Sequence, residues 1–439
     1  MIFEGYLPYR DFYYSHPPLL PLFIGLGLKL SGGMFLPRLI YLFLNVFSVV
    51  PLFMVIRRIS GTYLGALVAI VFYLTWYQMI DHDFRFIETR QFANIFFIAF
   101  LYFALVRPDS RWSSVYQTIF SIASVFTIFP IAASLLFISL AIIFSAPSAA
   151  ERRRLFRHFL TIGIICTTAV LLLWITLPHS LELTLLVHTY VSAGSSQMDR
   201  IRYLVSNQPD TILYTLSIVS LLWGALRIPH MRVYCLAGLG MILLILVPPE
   251  FFPHHFVTAG VAFAMGLAAF ATALLQLFRS RYLLLAYLVI AGMTTAHLTR
   301  TLPLLLPSWQ SADAGYYASI QKLAGLPGPM LTFMDQMWAI DAKKEIVQHY
   351  YRAGMRYFPI FGNPVPNDLF AHLPERACTI VLSGWDQEFV PSQILHSWLD
   401  RYRRLDISPH LLVLATDHPF CTHGHEQIAT TTLPGKTAR

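Results

Sequence analysis

Residues 115–146, VYQTIFSIASVFTIFPIAASLLFISLAIIFSA, decide how the rest of the chain is laid out. The run is apolar from end to end but too long for one membrane crossing, since about twenty helical residues span the roughly 30 Å of hydrocarbon in a bilayer. Pro130 lies near its middle. An interior proline removes a backbone hydrogen bond and clashes with the preceding turn, so it kinks or ends a helix. The stretch is therefore expected to form two shorter helices that meet at Phe129-Pro130.

Working outward, apolar runs of spanning length are expected at 36–56, 62–80, 87–106, 158–177, 209–226, 232–248, 256–277 and 282–299. With the split segment this makes ten crossings. The charges test the count. Arg57-Arg58, Arg107 and Arg111, Arg152 to Arg154 with Arg157, Arg227 and Arg232, and Arg279 and Arg281 each lie between runs. They share one side of a membrane only if 115–146 crosses twice, and the positive-inside bias makes that side cytoplasmic. The opposite loops then hold Asp81-His82-Asp83, residues 178–208, Pro253-His254-His255 and everything after about residue 300. The opening polar stretch also falls outside. Both ends outside leaves nothing to carry the N-terminus across, so a further span is expected upstream of Met1.

Composition agrees with lipid as the main solvent. The chain has 439 residues, 56% of them hydrophobic and only 12% charged, against about a quarter charged in soluble domains. A net charge of +8 is accounted for by cytoplasmic loops, and nucleic acid is not expected as a partner. Four cysteines are too few for a disulfide framework in a chain this long. Cys166 and Cys235 sit in apolar runs, whereas Cys378 and Cys421 can pair if the polar C-terminal part is extracytoplasmic. The grouping of His418, Cys421, His423 and His425 has no second cysteine pair at zinc spacing, and no metal site is assigned to it.

The shorter run 18–30 follows two prolines and suits an interfacial or re-entrant helix. Beyond residue 310 the chain becomes richer in charge. Short β-rich runs (330–333, 378–382 and 411–414) alternate with helix-like stretches at 340–353 and 393–404, which implies a small α/β domain. The expected organisation is a first extracytoplasmic loop with its interfacial helix at 1–33, a transmembrane domain at 34–306, and an extracytoplasmic α/β domain at 307–439. The fold class is thus mainly α and polytopic, with about ten transmembrane helices.

Several strings give this layout a family likeness. Gly5-Tyr6-Leu7-Pro8-Tyr9-Arg10-Asp11-Phe12, followed by His16-Pro17-Pro18-Leu19, resembles the first outer loop of GT-C glycosyltransferases. The nearest branch is akin to protein O-mannosyltransferases and lipid A aminoarabinose transferase. Pro37-Arg38 with Arg57-Arg58, Phe84-Arg85-Phe86-Ile87-Glu88 and Pro253-His254-His255-Phe256 are similar as well. In that family a span precedes the first loop, and an acidic pair just after it carries the principal catalytic carboxylate. The resemblance implies that the start at Met1 is set too late; the rival is a true truncation that has cost activity.

The resemblance also implies a reaction. A sugar moves from a polyprenyl-phosphate donor to a lipid, glycan or protein acceptor on the outer face of the cell (inner) membrane. Such chemistry needs a carboxylate to take the acceptor proton and cationic or dipolar groups to hold the departing phosphate. Asp11, Asp81, Asp83 and Glu88 are the candidate catalytic acids; Arg10, His16, Arg85, Arg90, His254 and His255 are the candidate substrate contacts. Each has a plainer reading. Arg10 and Asp11 pair as readily on a surface, His16 suits a turn, and Arg85 with Glu88 form an intrahelical pair. Asp81 and Asp83 equally suit a solvated helix end. No cofactor is assigned, and a divalent cation is left open because one D-x-D offers few of the oxygen ligands such an ion takes. A secondary transporter or lipid flippase is the second class, which normally places ionisable residues and broken helices near the midplane. An inactive relic of the enzyme is the third.

Overall fold

The computed structural model describes residues 16–75, 87, 89–177, 180, 184, 211–244, 257–277, 283–332, 339, 342–344, 377–383, 392–408, 411–416 and 421. The chain divides into two compact units, residues 1–10, 15–26 and 35–308, and residues 11–14, 27–34 and 309–439.

The first unit is helical. The helices are α1 (Leu19–Ser31), α2 (Phe35–Ser60), α3 (Tyr63–Thr75), α4 (Thr89–Leu101), α5 (Ser113–Val125), α6 (Ile131–Ser145), α7 (Ala149–Thr176), α8 (Thr211–Arg227), α9 (Arg232–Leu244), α10 (Gly260–Leu277) and the long α11 (Leu283–Ala324), of which residues 27–31 of α1 and 309–324 of α11 belong to the second unit. The decisive stretch is split as expected. Helix α5 ends at Val125 and α6 starts at Ile131, with Pro130 as its N-cap residue. Among the described residues, four helical segments are long and apolar enough to cross a bilayer, Phe35–Ser60, Thr89–Val106, Ala149–Thr176 and Val257–Leu277. Helices α1, α3, α6, α8 and α9 are apolar and shorter. The expected runs at 62–80 and 232–248 continue past α3 and α9 into residues outside the described set.

Helix α2 shows what solvent this unit is built for. Its inward face carries Tyr41, Asn45, Ser48, Leu52, Val55, Ile56 and Ile59, all buried, while Phe43, Phe47 and Val50 on the other face are more than half exposed. A soluble helix presents polar residues outward and apolar ones inward. Here amides and hydroxyls point in and phenylalanines point out, so hydrocarbon is the matching surroundings.

Lipid tails are as apolar as leucine, so helices in a membrane associate through close van der Waals contact and small residues rather than by escape from water. Helix α10 illustrates this. It runs GVAFAMGLAAFATALLQL, is buried along most of its length, and packs on α3, α8 and α9. A Cβ built on Gly266 would lie 2.0 Å from Ser217 Oγ and 2.6 Å from the Ser217 carbonyl oxygen of α8, while Ser217 Oγ donates to Phe263 O at 2.8 Å. Gly266→Ala must push two backbones apart and is expected to cost about 1–3 kcal/mol. Gly163→Ala on α7 meets no atom within 4 Å and should cost nothing. Unfolding in mixed micelles checks the contrast.

The second unit holds a four-stranded sheet in the order β1-β2-β4-β3, with β1 (Met330–Thr332), β2 (Thr379–Ser383), β3 (Arg403–Leu405) and β4 (Leu411–Ala415). Strand β1 is parallel to β2; the other pairs are antiparallel. Both faces are covered. Ile380, Leu382, Leu412 and Leu414 pack with Trp398 and Tyr402 on one side, and Val381, Leu411 and Val413 with Leu323 and Met330 on the other. That double burial explains why these strands read as unbroken apolar runs. Trp398 and Tyr402 come from helix α12 (Ser392–Arg401) and the residue after it. The Tyr402 hydroxyl donates to Ala377 O at 2.8 Å, and burial pushes its phenol up to about 12, partly offset by Arg401. Strand β3 falls where helix was expected to continue to residue 404. Of the helix expected at 340–353, residues 342–344 form a turn instead, with Lys343 at φ 53°; its remaining residues lie outside the described set.

Cys378 and Cys421 are joined in a disulfide with Cα atoms 5.5 Å apart. Gly328 turns the chain beside it at φ +60°, and an added Cβ there would stand 2.3 Å from Cys378 Sγ. Glycine is therefore required at 328 both for its left-handed backbone and for space.

Candidate outer-rim site

Hydrogen bonds between turns show how the helix ends of the first unit are sorted. His230 Nε2 lies 3.1 Å from Ser60 O, which joins the α8–α9 turn to the α2–α3 turn. Ser145 Oγ and Tyr234 OH are 3.0 Å apart, joining the α6–α7 turn to the start of α9. Gln117 Oε1 meets His158 Nε2 at 2.9 Å. These turns carry Arg57, Arg58, Arg152, Arg153, Arg154, Arg157, Arg227 and Arg232, so the basic residues gather at one end of the bundle. Arg57 stacks over Tyr63 at 3.8 Å, and Arg232 Nε donates to Ala225 O at 3.1 Å. At this end α4 also finishes in a π-helical turn, Tyr102–Val106. The Phe103 carbonyl within it accepts from Ser113 Oγ at 2.9 Å and from Gln117 Nε2 at 3.3 Å.

The opposite ends are where the sequence places its candidate chemistry. His16 is partly buried in a bend ahead of buried Pro17 and Pro18. The next amide, Leu19 N, donates to Phe126 O at 3.0 Å, which sets the start of α1 on the break between α5 and α6. Leu20 and Phe23 of α1 then pack with Tyr41 and Phe92, the Phe23 and Phe92 rings 4.8 Å apart. Phe92 belongs to the first turns of α4, as does Arg90, whose side chain is only 9% exposed. The structure thus brings the His-Pro-Pro corner, the α5–α6 break and the start of α4 into one packed region. Arg10, Asp11, Asp81, Asp83, Arg85, Glu88, His254 and His255 lie outside the described residues.

Below this region is a polar cluster that sequence reasoning missed. Gln91 Nε2 donates to Asn45 Oδ1 at 2.5 Å, and the Tyr73 hydroxyl lies 3.1 Å from the same nitrogen. Asn94 Nδ2 donates to Val257 O at 2.6 Å and stands 3.4 Å from Gln91 Oε1. Asn45 Nδ2 closes on Tyr41 O at 2.9 Å. All four side chains are 3% exposed or less. The cluster ties α2, α3, α4 and the turn leading into α10 together. Amides in hydrocarbon are costly unless bonded, and among the described residues Asn94 Oδ1 has no hydrogen-bond partner. The visible signal was Gln91 and Asn94, three residues apart and so on one face of an apolar helix.

Helices α3, α8, α10 and α11 frame a small cavity of about 30 Å³, lined by Val68, Phe72, Leu216, Leu267, Phe270 and Met293 among others. Its polar wall is His297, whose Nε2 is 2.9 Å from Thr75 O. Among the described residues no three His, Cys, Asp or Glu side chains converge as a metal site would require.

The fold has known counterparts. The chain matches the crystal structure of ArnT from Cupriavidus metallidurans in the apo state with a TM-score of 0.60 and 14% identity, over 92% of this chain and 88% of that one. The structure of the same protein bound to undecaprenyl phosphate matches equally well, with TM-score 0.60 at 14% identity. No family model matches the sequence, and no curated protein matches it. The fold of this chain is therefore similar to that of ArnT. The chain is a mainly helical, membrane-type protein with a small mixed C-terminal sheet.

Proposed function

We propose that the chain is a glycosyltransferase that moves a sugar from a polyprenyl-phosphate donor to an acceptor at the outer face of the membrane. The observation that carries this reading is the ArnT fold over nearly the whole chain, with one of the two matched structures holding undecaprenyl phosphate. The sorting of charge supports it. Arginines collect at one end of the helices, which the positive-inside rule makes cytoplasmic. The candidate acids and histidines belong by sequence to loops at the other end. A donor with a long isoprenoid tail cannot leave the bilayer, so its phosphate must be met where lipid and water join.

In this reading one of Asp11, Asp81, Asp83 and Glu88 accepts the acceptor's proton as it attacks the anomeric carbon. Arg10, His16, Arg85, Arg90, His254 and His255 hold the leaving phosphate. The transition state has oxocarbenium character, as in other reactions at this carbon. Ten crossings, with a transmembrane domain over 34–306 and an outer α/β domain over 307–439, complete the proposal. The Cys378–Cys421 bond fits an oxidising compartment for the latter.

The test is binding of undecaprenyl phosphate to the full chain in nanodiscs, read by native mass spectrometry, together with thiol labelling of single cysteines placed between residues 81 and 88. Saturable binding and labelling from the outside are expected. Absence of binding, or labelling only from the cytoplasm, overturns the proposal.

A further inference from the structure

The buried amides at the start of α4 do more than fill space. Asn94 Nδ2 reaches across to the Val257 carbonyl at 2.6 Å, and Val257 follows His254-His255-Phe256 in the chain. Gln91, one turn earlier, is held on α2 by Asn45 and on α3 by Tyr73. It follows Glu88, Thr89 and Arg90 in the chain. The two amides are linked to each other at 3.4 Å. One polar chain therefore joins the first turn of α4 to the turn that opens α10, and these are the helices that receive two of the loops bearing candidate chemistry.

A lone amide in hydrocarbon is a liability, and four polar side chains from three helices are an expensive way to hold a bundle that small residues already pack tightly. What a buried polar network supplies beyond an apolar core is one fixed geometry. Here the geometry fixed is the spacing between residues 89–94 and Val257.

We propose that Asn94, held in place by Gln91, is a positioning residue: it locks the start of α10 to the start of α4, so that the loops ahead of both helices meet the donor phosphate in one register. This rests on the glycosyltransferase reading above and deepens it. Asn94 acts through the Val257 backbone.

The experiment measures undecaprenyl phosphate binding to the full chain in nanodiscs for wild type, Asn94→Leu, Asn94→Asp and Ser124→Ala, at about pH 5 and about pH 8. Ser124 is a control: its hydroxyl donates to Ala93 O on the same helix, equally buried, but makes no link to α10. A misplacement of about 1 Å can cost about 100-fold, so Asn94→Leu is expected to weaken binding by about 10- to 100-fold and Ser124→Ala by no more than about twofold. Asn94→Asp keeps a donor for Val257 O only while its carboxyl is protonated. It should match wild type at the lower pH and fall away from it at the higher, a dependence read within one folded protein even if Asn94→Leu does not fold. Wild-type binding by Asn94→Leu overturns the inference, as does equal binding by Asn94→Asp and wild type at a pH where the infrared carboxylate band shows the introduced carboxyl ionised. If wild type itself fails to bind, it is the glycosyltransferase reading that falls.

Discussion

Converting the true base among Asp11, Asp81, Asp83 and Glu88 to its amide is expected to lower sugar transfer by about 10²- to 10⁴-fold, the range that a positioned general base contributes. An amide keeps the size and one acceptor oxygen of the carboxylate but cannot take a proton. A carboxylate that merely orders its loop through Arg10 or Arg85 is an exposed ion pair, worth about 0–1 kcal/mol, and its amide variant should keep activity within about tenfold. The four variants therefore separate into one or two that lose nearly everything and others that lose little. Transfer from a polyprenyl-phosphate sugar, measured as release of polyprenyl phosphate, makes the comparison. Retention of activity by all four would remove these residues from the chemistry.

Opening the Cys378–Cys421 bond is expected to be the most damaging single change to the second unit. The bond closes a loop with a sequence separation of 43, and cross-linking a loop of that size stabilises by about 4 kcal/mol in the chain-entropy picture. It ties the residue ahead of β2 to a segment beyond β4, so the two central strands of the sheet are bracketed by it. A Cys378→Ser, Cys421→Ser double variant should lose most of this increment, seen as faster cleavage of residues 309–439 in pulse proteolysis. The oxidised protein should show the same shift only after a reductant is added. Unchanged proteolysis under reducing conditions would show that the sheet holds by its two hydrophobic faces alone.

Much of the fold was legible because it rests on features with a fixed physical meaning. Pro130 lacks an amide hydrogen, so it had to end or bend a helix, and α6 begins right after it. Strands β1, β2 and β4 showed as dense apolar runs because both of their faces are covered. Strand β3 did not show, since Arg403 and Arg404 are exposed at a sheet edge and read as the end of a charged helix. The left-handed turn at Lys343 carries no glycine to announce it. The inner polar cluster escaped for a different reason. Averaged over a span, Asn45 vanishes among leucines and phenylalanines, and its meaning depends on Gln91 and Tyr73, which only the folded chain brings to it. The candidate acids were chosen by residue type and loop position, and they lie outside the described residues. Their mutual geometry is not a property of sequence spacing, because the loops that carry them are far apart in the chain.

Helix α7 carries the last consequence. Its 28 residues amount to about 42 Å of helix, of which Ile162 is the one side chain well buried, while Phe156, Leu160, Ile164, Leu172, Trp174 and Ile175 face outward. Its partners supply little, so the surrounding amphiphile is effectively its tertiary structure. Swapping bilayer for a short-chain detergent should loosen this rod before any other.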